Sequence, residues 1–294
     1  GVLHVLTGFG ETAGAPLVAH PGVDKVTFTG SKEVGKAIMR SGADTLKRVT
    51  LELGGKSPNI VFADADFEAA VEGSCNGVFW NQGEICSAGN RVFVDRAIYD
   101  DALNAFVDRA KAVRLCKGPD EDATLGPMVS LGQRERLERY RELGQAEATL
   151  AVQGSRPTDP RLANGYFGPP TIFADVDNAD TIAREEIFGP VLSVIPFKSI
   201  DEGIAEGNST TYGLAAAVWT RDVTKALKAA RAIRAGTVWV NAYNLFDAAL
   251  PFGGATVAET LTQLAGKLGE NIVLGSVVRF ESDGLLDAYR HNQN

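Results

Sequence analysis

Apolar and polar positions fall in blocks along this chain, and the blocks switch between a period of two and a period of about 3.6. Short runs rich in β-branched and aromatic residues predict strands at His4-Val5-Leu6, Val26 to Thr29, Val49 to Leu53, Asn59 to Phe62, Arg91 to Val94, Val191 to Phe197, Ala215 to Trp219 and Thr237 to Asn241. Helical stretches lie between them. Glu33 to Met39 follows the turn Gly30-Ser31. Phe67, Ala70, Val71, Ser74 and Val78 mark one face of a helix that Asp64 or Asp66 can cap. Asp101 to Val113 carries an apolar stripe, and Leu131 to Gln145 is charge-rich with a solvated face. Asp201 to Asn208, capped by Ser199 or Asp201, and Val223 to Ile233 complete the helices. Residues 152–170 hold Gly, Pro and Asn and read as loop. Strands separated by helices imply βαβ crossovers, so the expected fold class is α/β with a mostly parallel sheet.

Composition narrows the function classes. A chain of 294 residues suffices for one large domain or two ordinary ones, and 45% hydrophobic with 22% charged residues suits a globular protein. The formal net charge of -8 and the lack of a basic stripe argue against a nucleic-acid partner. No apolar run approaches the ~20 residues of a spanning helix, so no membrane partner is expected. No basic-then-apolar leader pattern is visible, and a cytoplasmic location is the simplest expectation. Cys75, Cys86 and Cys116 lack CxxC spacing, so neither a disulfide framework nor a metal site is expected.

The candidate chemistry centres on Cys86. It sits in the polar, glycine-rich stretch Asn81-Gln82-Gly83-Glu84-Ile85-Cys86-Ser87-Ala88-Gly89, whereas Cys75 and Cys116 fall on or beside helix stripes, as small buried hydrophobes do. Upstream, Glu52 ends a strand-like run and precedes Gly54-Gly55-Lys56. A thiolate adds to a carbonyl carbon, and a carboxylate then activates water against the acyl group. Read alone, Glu52 fits an exposed strand-end carboxylate, the usual fate of Glu. The histidines His4, His20 and His291 accompany Cys86 in no recognisable motif. Gly30-Ser31 closes a strand and opens a helix running through Gly35, which suits either a pyrophosphate or an ordinary Ser N-cap. Gly8 to Gly14 spells GxGxxxG, one residue too long for the dinucleotide fingerprint, and reads better as a glycine turn after a strand. Glu185-Glu186-Ile187-Phe188-Gly189-Pro190 is either a solvated charge pair capping a helix or a ligand-facing loop.

Taken together, Phe28-Thr29-Gly30-Ser31, Leu51-Glu52-Leu53-Gly54-Gly55-Lys56, Asn81 to Cys86, Glu186-Ile187-Phe188-Gly189-Pro190 and Pro251-Phe252-Gly253-Gly254 resemble the aldehyde dehydrogenase superfamily in order and spacing. The resemblance runs from residue 1 to about residue 254. It implies a parallel-sheet catalytic domain over 55–254 and the C-terminal part of a Rossmann-like cofactor domain over 1–54. It implies Cys86 as nucleophile, with its N–H as one oxyanion donor, and Glu52 as general base. Gly30, Ser31 and Gly35 would lie at the cofactor pyrophosphate, Glu186 at the nicotinamide ribose and Phe188 beside it. Phe246 and Phe252 would line the substrate tunnel. The implied activity is oxidation of a small aldehyde to the acid with NAD or NADP, without a metal, in a homo-oligomer.

Two departures qualify the match. Full members of the family carry roughly two hundred further residues before the position of Gly1, including an Asn oxyanion donor, and losing such a donor costs about a hundredfold or more in rate. Activity of this chain alone is therefore expected to be weak. After Gly254 the pattern breaks, and the tail 255–294 is similar to a core segment of bacterial elongation factor Ts. A cofactor-independent Cys–Glu esterase and a non-catalytic truncated subunit stand as rival readings.

Overall fold

The computed structural model describes residues 2–118, 123–246 and 252. The tail 255–294 and the Gly253-Gly254 end of the last family motif lie outside them. The chain divides into two compact units, Gly1–Gly54 and Gly55–Asn294.

The first unit contains one βαβ crossover. Strands β1 (Lys25–Thr29) and β2 (Arg48–Glu52) run parallel, with Val26 opposite Val49 and Thr29 opposite Glu52. Two helices belong to this unit. Short α1 (Ala15–Ala19) precedes β1, and α2 (Lys32–Ala43) joins β1 to β2. The Ser31 hydroxyl accepts from the Val34 N–H at 3.3 Å, the geometry of an N-cap. Gly35 is buried, and a Cβ there would lie 2.8 Å from Leu53 Cδ2, so its lack of a side chain lets α2 pack closely on β2.

Two expectations fail in this unit. His4-Val5-Leu6 is exposed and forms no strand, because a strand exists only within a ladder and this ladder joins β1 to β2. Gly10–Gly14 is not a glycine turn. It winds as a π-helical turn directly into α1, with the N–H groups of Ala13 and Gly14 both directed at the Phe9 carbonyl.

The second unit is built on a seven-stranded sheet. Its strands are β3 (Pro58–Val61), β4 (Arg91–Asp95), β5 (Thr149–Gln153), β6 (Thr171–Ala174), β7 (Val191–Phe197), β8 (Ala215–Trp219) and β9 (Thr237–Val240). Their order is β5-β6-β7-β4-β3-β8-β9, parallel throughout except for β5 against β6. The sequence pattern missed both β5 and β6, because they border a Gly/Pro-rich stretch that reads as loop.

Helices cover both faces, which explains the nearly unbroken apolar runs of the central strands. On one face α3 (Phe67–Phe79) and α4 (Tyr99–Ala112) pack on Val61, Val92, Val94, Val194 and Trp219. On the other, α5 (Leu131–Glu147), α6 (Thr181–Arg184), α7 (Ile200–Asn208) and α8 (Val223–Ala232) cover Ile60, Phe62, Phe93, Ile195 and Val218. Asp66, not Asp64, caps α3 through the Ala69 N–H, and Ser199, not Asp201, caps α7 through the Glu202 N–H. Asp64 instead takes the Thr220 hydroxyl and the Lys225 ammonium.

The buried Asn59 of β3 is paired. Asn59 donates to Ser74 Oγ and accepts from the Trp219 indole N–H, both at 2.8 Å. None of the described helices is long and apolar enough to cross a membrane. Among the described residues no group of three or more His, Cys, Asp or Glu is placed to hold a metal ion.

Candidate active site

The loop before β3, the Cys86 loop before β4 and the Glu186 loop before β7 all enter the same edge of the sheet, the N-terminal edge of three adjacent parallel strands. Segments 131 residues apart in sequence thereby meet. The Gly55 N–H donates to Glu186 Oε1 at 3.3 Å. A Cβ at Gly55 would lie 2.3 Å from the Cys86 carbonyl oxygen, so this glycine is required by close backbone approach.

The Cys86 loop is reached by a tight reversal. After α3 ends, Asn81 (φ +49°), Gln82 (φ +58°) and Gly83 (φ +71°) are all left-handed. Asn81 accepts from the Glu84 N–H at 2.9 Å and returns its side-chain amide to the Glu84 carbonyl at 3.1 Å. A side chain at Gly83 would strike the Gly189 backbone at 2.4 Å. Non-glycine residues in this region carry strain, and strain is retained where the surroundings over-determine it.

Cys86 itself is half-buried. Behind it, the Tyr243 hydroxyl donates to the Ser87 carbonyl at 2.8 Å. The Ser87 hydroxyl donates to Asn244 Oδ1 at 3.1 Å. The Tyr243 ring fills the space that side chains at Gly77 and Gly89 would occupy. Burial pushes the Tyr243 hydroxyl up, so it stays a proton donor. Burial also pushes Cys75 up to about 12, which leaves that thiol inert at neutral pH.

The Glu186 loop is tied to α5. Glu185 accepts from the Tyr140 hydroxyl at 2.5 Å. Gln133 of α5 donates to the carbonyls of Ile187 (3.1 Å) and Phe188 (2.5 Å), and Arg136 donates to those of Ile187 (3.2 Å) and Glu186. Phe188 is left-handed at φ +58°. The charge pattern predicts a solvated face for α5. Its Gln133 and Arg136 in fact hold three consecutive carbonyls, a role that periodicity alone does not signal. Glu84, two residues before Cys86, ties its loop to the same region by accepting from the Val129 N–H just ahead of α5.

Beneath these loops Arg91 is fully buried. Its guanidinium donates twice to the Lys56 carbonyl (3.0 and 2.9 Å), once to the Gly207 carbonyl (3.0 Å) and once to Asn178 Oδ1 (2.9 Å). Phe246 and Phe252 meet edge to face at 5.1 Å, and Phe246 meets Trp239 likewise at 5.7 Å. In the first unit, Gly30 and Ser31 stand between β1 and α2. Glu52 ends β2, and its Oε2 is buried without a hydrogen-bond partner among the described residues. Burial raises the Glu52 carboxyl above its ordinary value, the direction that makes it a stronger base.

This is the class of an α/β enzyme with one distinctive thiol in a strained loop, braced by buried groups. The chain belongs to the aldehyde dehydrogenase family, whose family model matches residues 1–259. It is 49% identical over 255 residues to the putative aldehyde dehydrogenase DhaS of Bacillus subtilis (strain 168), covering 86% of this chain and 51% of that one. It is 48% identical over 256 residues to the mitochondrial aldehyde dehydrogenase of Homo sapiens, covering 86% and 49%. Among solved structures it resembles an NAD+ complex of the Bacillus cereus aldehyde dehydrogenase, with a TM-score of 0.81, 49% identity and coverage of 84% of this chain and 50% of that one. It also resembles the betaine aldehyde dehydrogenase of Staphylococcus aureus in complex with NAD+, with a TM-score of 0.82, 42% identity and coverage of 84% and 50%. The chain thus spans about half the length of the relatives it matches.

Proposed function

We propose that this chain carries the catalytic part of an NAD(P)-dependent aldehyde dehydrogenase that oxidises a small aldehyde to its carboxylic acid. The observation that carries the reading is the Cys86 loop, strained at Asn81–Gly83 and packed through its carbonyl on Gly55, in a chain of this family.

The residues supply the steps. The Cys86 thiolate adds to the aldehyde carbon, and the oxyanion of the resulting thiohemiacetal is held by N–H donors that include the Cys86 amide. A donor of this kind contributes about 3 kcal/mol to the transition state. Expulsion of hydride leaves a thioester on Cys86. Glu52 removes a proton from water, the hydroxide attacks the thioester carbon, and the acid departs as the thiolate is restored.

The nicotinamide, when bound, accepts the hydride. Glu186 would hold its ribose, with Phe188 beside it, and Gly30, Ser31 and Gly35 would border the pyrophosphate. The fit has physical support. The N-terminus of α2 presents backbone N–H groups to an anion. Glu186 is anchored by Gly55 and its loop by α5, so the carboxylate is a fixed acceptor for hydroxyls. Phe246 and Phe252 form an aromatic pair that suits an apolar substrate wall.

NAD is favoured over NADP as cofactor because solved relatives are NAD+ complexes. A cytoplasmic homo-oligomer is the setting proposed, and turnover by this chain alone is expected to be slow. The test is NAD+ reduction with acetaldehyde and with benzaldehyde, run beside Cys86→Ala, with p-nitrophenyl acetate hydrolysis as a cofactor-free arm. The proposal requires that both activities, however slow, vanish in Cys86→Ala. Equal rates from the two proteins would overturn it.

A further inference from the structure

We infer that Lys56 is a positioning residue for Glu186, its buried amine keeping that carboxylate ionised and seated on the Gly55 amide. The two residues belong to different loops at the same sheet edge, and Lys56 is not among the groups that the proposed chemistry uses.

Lys56 is only 1% exposed, and its Nζ has no hydrogen-bond partner among the described residues. A lysine is rarely buried to this degree, and an unpartnered buried ammonium is costly. It persists where nearby acids offset the cost. The charged groups that act on it come from three elements packed around it. Arg91 of β4 and Arg136 of α5 repel it, and Glu186 and Glu185 of the loop before β7 attract it.

The other three members of this set have their own anchors. Arg91 is spread over the Lys56 and Gly207 carbonyls and Asn178. Arg136 holds the Glu186 and Ile187 carbonyls. Glu185 takes the Tyr140 hydroxyl. Of the two acids, Glu186 is also joined to the Lys56 segment, because its Oε1 accepts the N–H of Gly55, the residue next to Lys56. The Gly55–Lys56 segment is thus fixed at both ends, by Glu186 at the Gly55 amide and by the Arg91 fork at the Lys56 carbonyl. The amine is thus carried on a segment held at one end by the same acid that attracts it. Burial and Arg91 lower this amine to about 7, so the support it gives Glu186 is present below neutral pH and fades above it.

The importance of Glu186 for a cofactor ribose rests on the reading above, but the Lys56–Glu186 coupling does not. The test therefore uses neither cofactor nor turnover. The amide resonance of Gly55 is followed by heteronuclear NMR through an acid titration of the full chain, because its hydrogen bond reports the protonation of its acceptor. In Lys56→Met, with native fold checked by circular dichroism, the Gly55 midpoint should move to higher pH by about half a unit or more. Lys56→Arg should restore it. An unchanged midpoint in folded Lys56→Met overturns the inference.

Should Lys56→Met fail to fold, Glu186→Gln gives the converse measurement. Loss of the acid should move the pH at which Tm begins to rise to a lower value, and an unmoved profile overturns the inference. A chain in which Cys86→Ala changes nothing would defeat the proposed activity while leaving both readouts intact.

Discussion

Gly55 touches two loops at once: its N–H donates to Glu186 Oε1 at 3.3 Å, and its Cα faces the Cys86 carbonyl so closely that a Cβ would stand 2.3 Å away. One residue without a side chain thereby sets the spacing between the thiol loop and the carboxylate loop. Gly55→Ala should force the loops apart. Overpacking of this kind costs about 1–3 kcal/mol, and a displacement near 1 Å at a reacting group costs on the order of a hundredfold in rate. Thermal melts and the rate of Cys86 alkylation by iodoacetamide, followed by peptide mapping, should both fall.

Gly83 likewise tolerates no side chain. Its φ of +71° and its contact with the Gly189 backbone leave no room for a side chain. Gly83→Ala should lower stability by more than about 1 kcal/mol, read as a shift of the urea midpoint. Gly118, whose Cβ would meet nothing within 4 Å among the described residues, is the control, and Gly118→Ala should change the midpoint little.

Tyr243 holds the cysteine loop from behind. Tyr243→Phe removes the donor to the Ser87 carbonyl while keeping the ring that fills the space beside Gly77 and Gly89. The buried carbonyl is then left without that donor, which costs about 1–3 kcal/mol. Equilibrium unfolding checks the magnitude, and Cys86 alkylation should change in the same variant.

The Lys56 amine gives stability a pH dependence whose sign is fixed. Its folded value, about 7, lies below the ordinary 10.5, so between those limits the unfolded chain binds the extra proton. Stability from this group therefore rises with pH across that window and is flat below it. Lys56→Met removes the slope. Urea unfolding at about pH 6 and about pH 9 should show a larger difference for the unaltered chain than for the variant.

Much of this arrangement was legible before any coordinates. The strand runs over Asn59–Phe62, Arg91–Val94 and Val191–Phe197 are apolar on both faces, and they lie centrally in the sheet, covered on both sides. The N-caps Asp66 and Ser199 were legible as candidates, because a capping side chain bonds only to the next turn. What escaped the sequence depends on partners distant along the chain. Gln133 and Arg136 look like any polar helix face until the carbonyls of 186–188 arrive opposite them. Lys56 and Arg91 carry charges that composition assigns to the surface, and only the fold buries them. Tyr243 bears no motif, and its role exists only because α3 and the cysteine loop both abut its ring. Strands β5 and β6 were hidden by their setting, since they flank the Gly/Pro/Asn-rich stretch 152–170 that reads as loop.

The central claim is that Cys86 forms the covalent intermediate and Glu52 releases it. The most direct measurement is mass spectrometric mapping of the chain after brief exposure to p-nitrophenyl acetate, with and without Glu52→Gln. The account predicts an acetyl group on the Cys86 peptide that persists longer in Glu52→Gln. Acetylation confined to Cys75 or Cys116, or equal persistence in the two proteins, would contradict it.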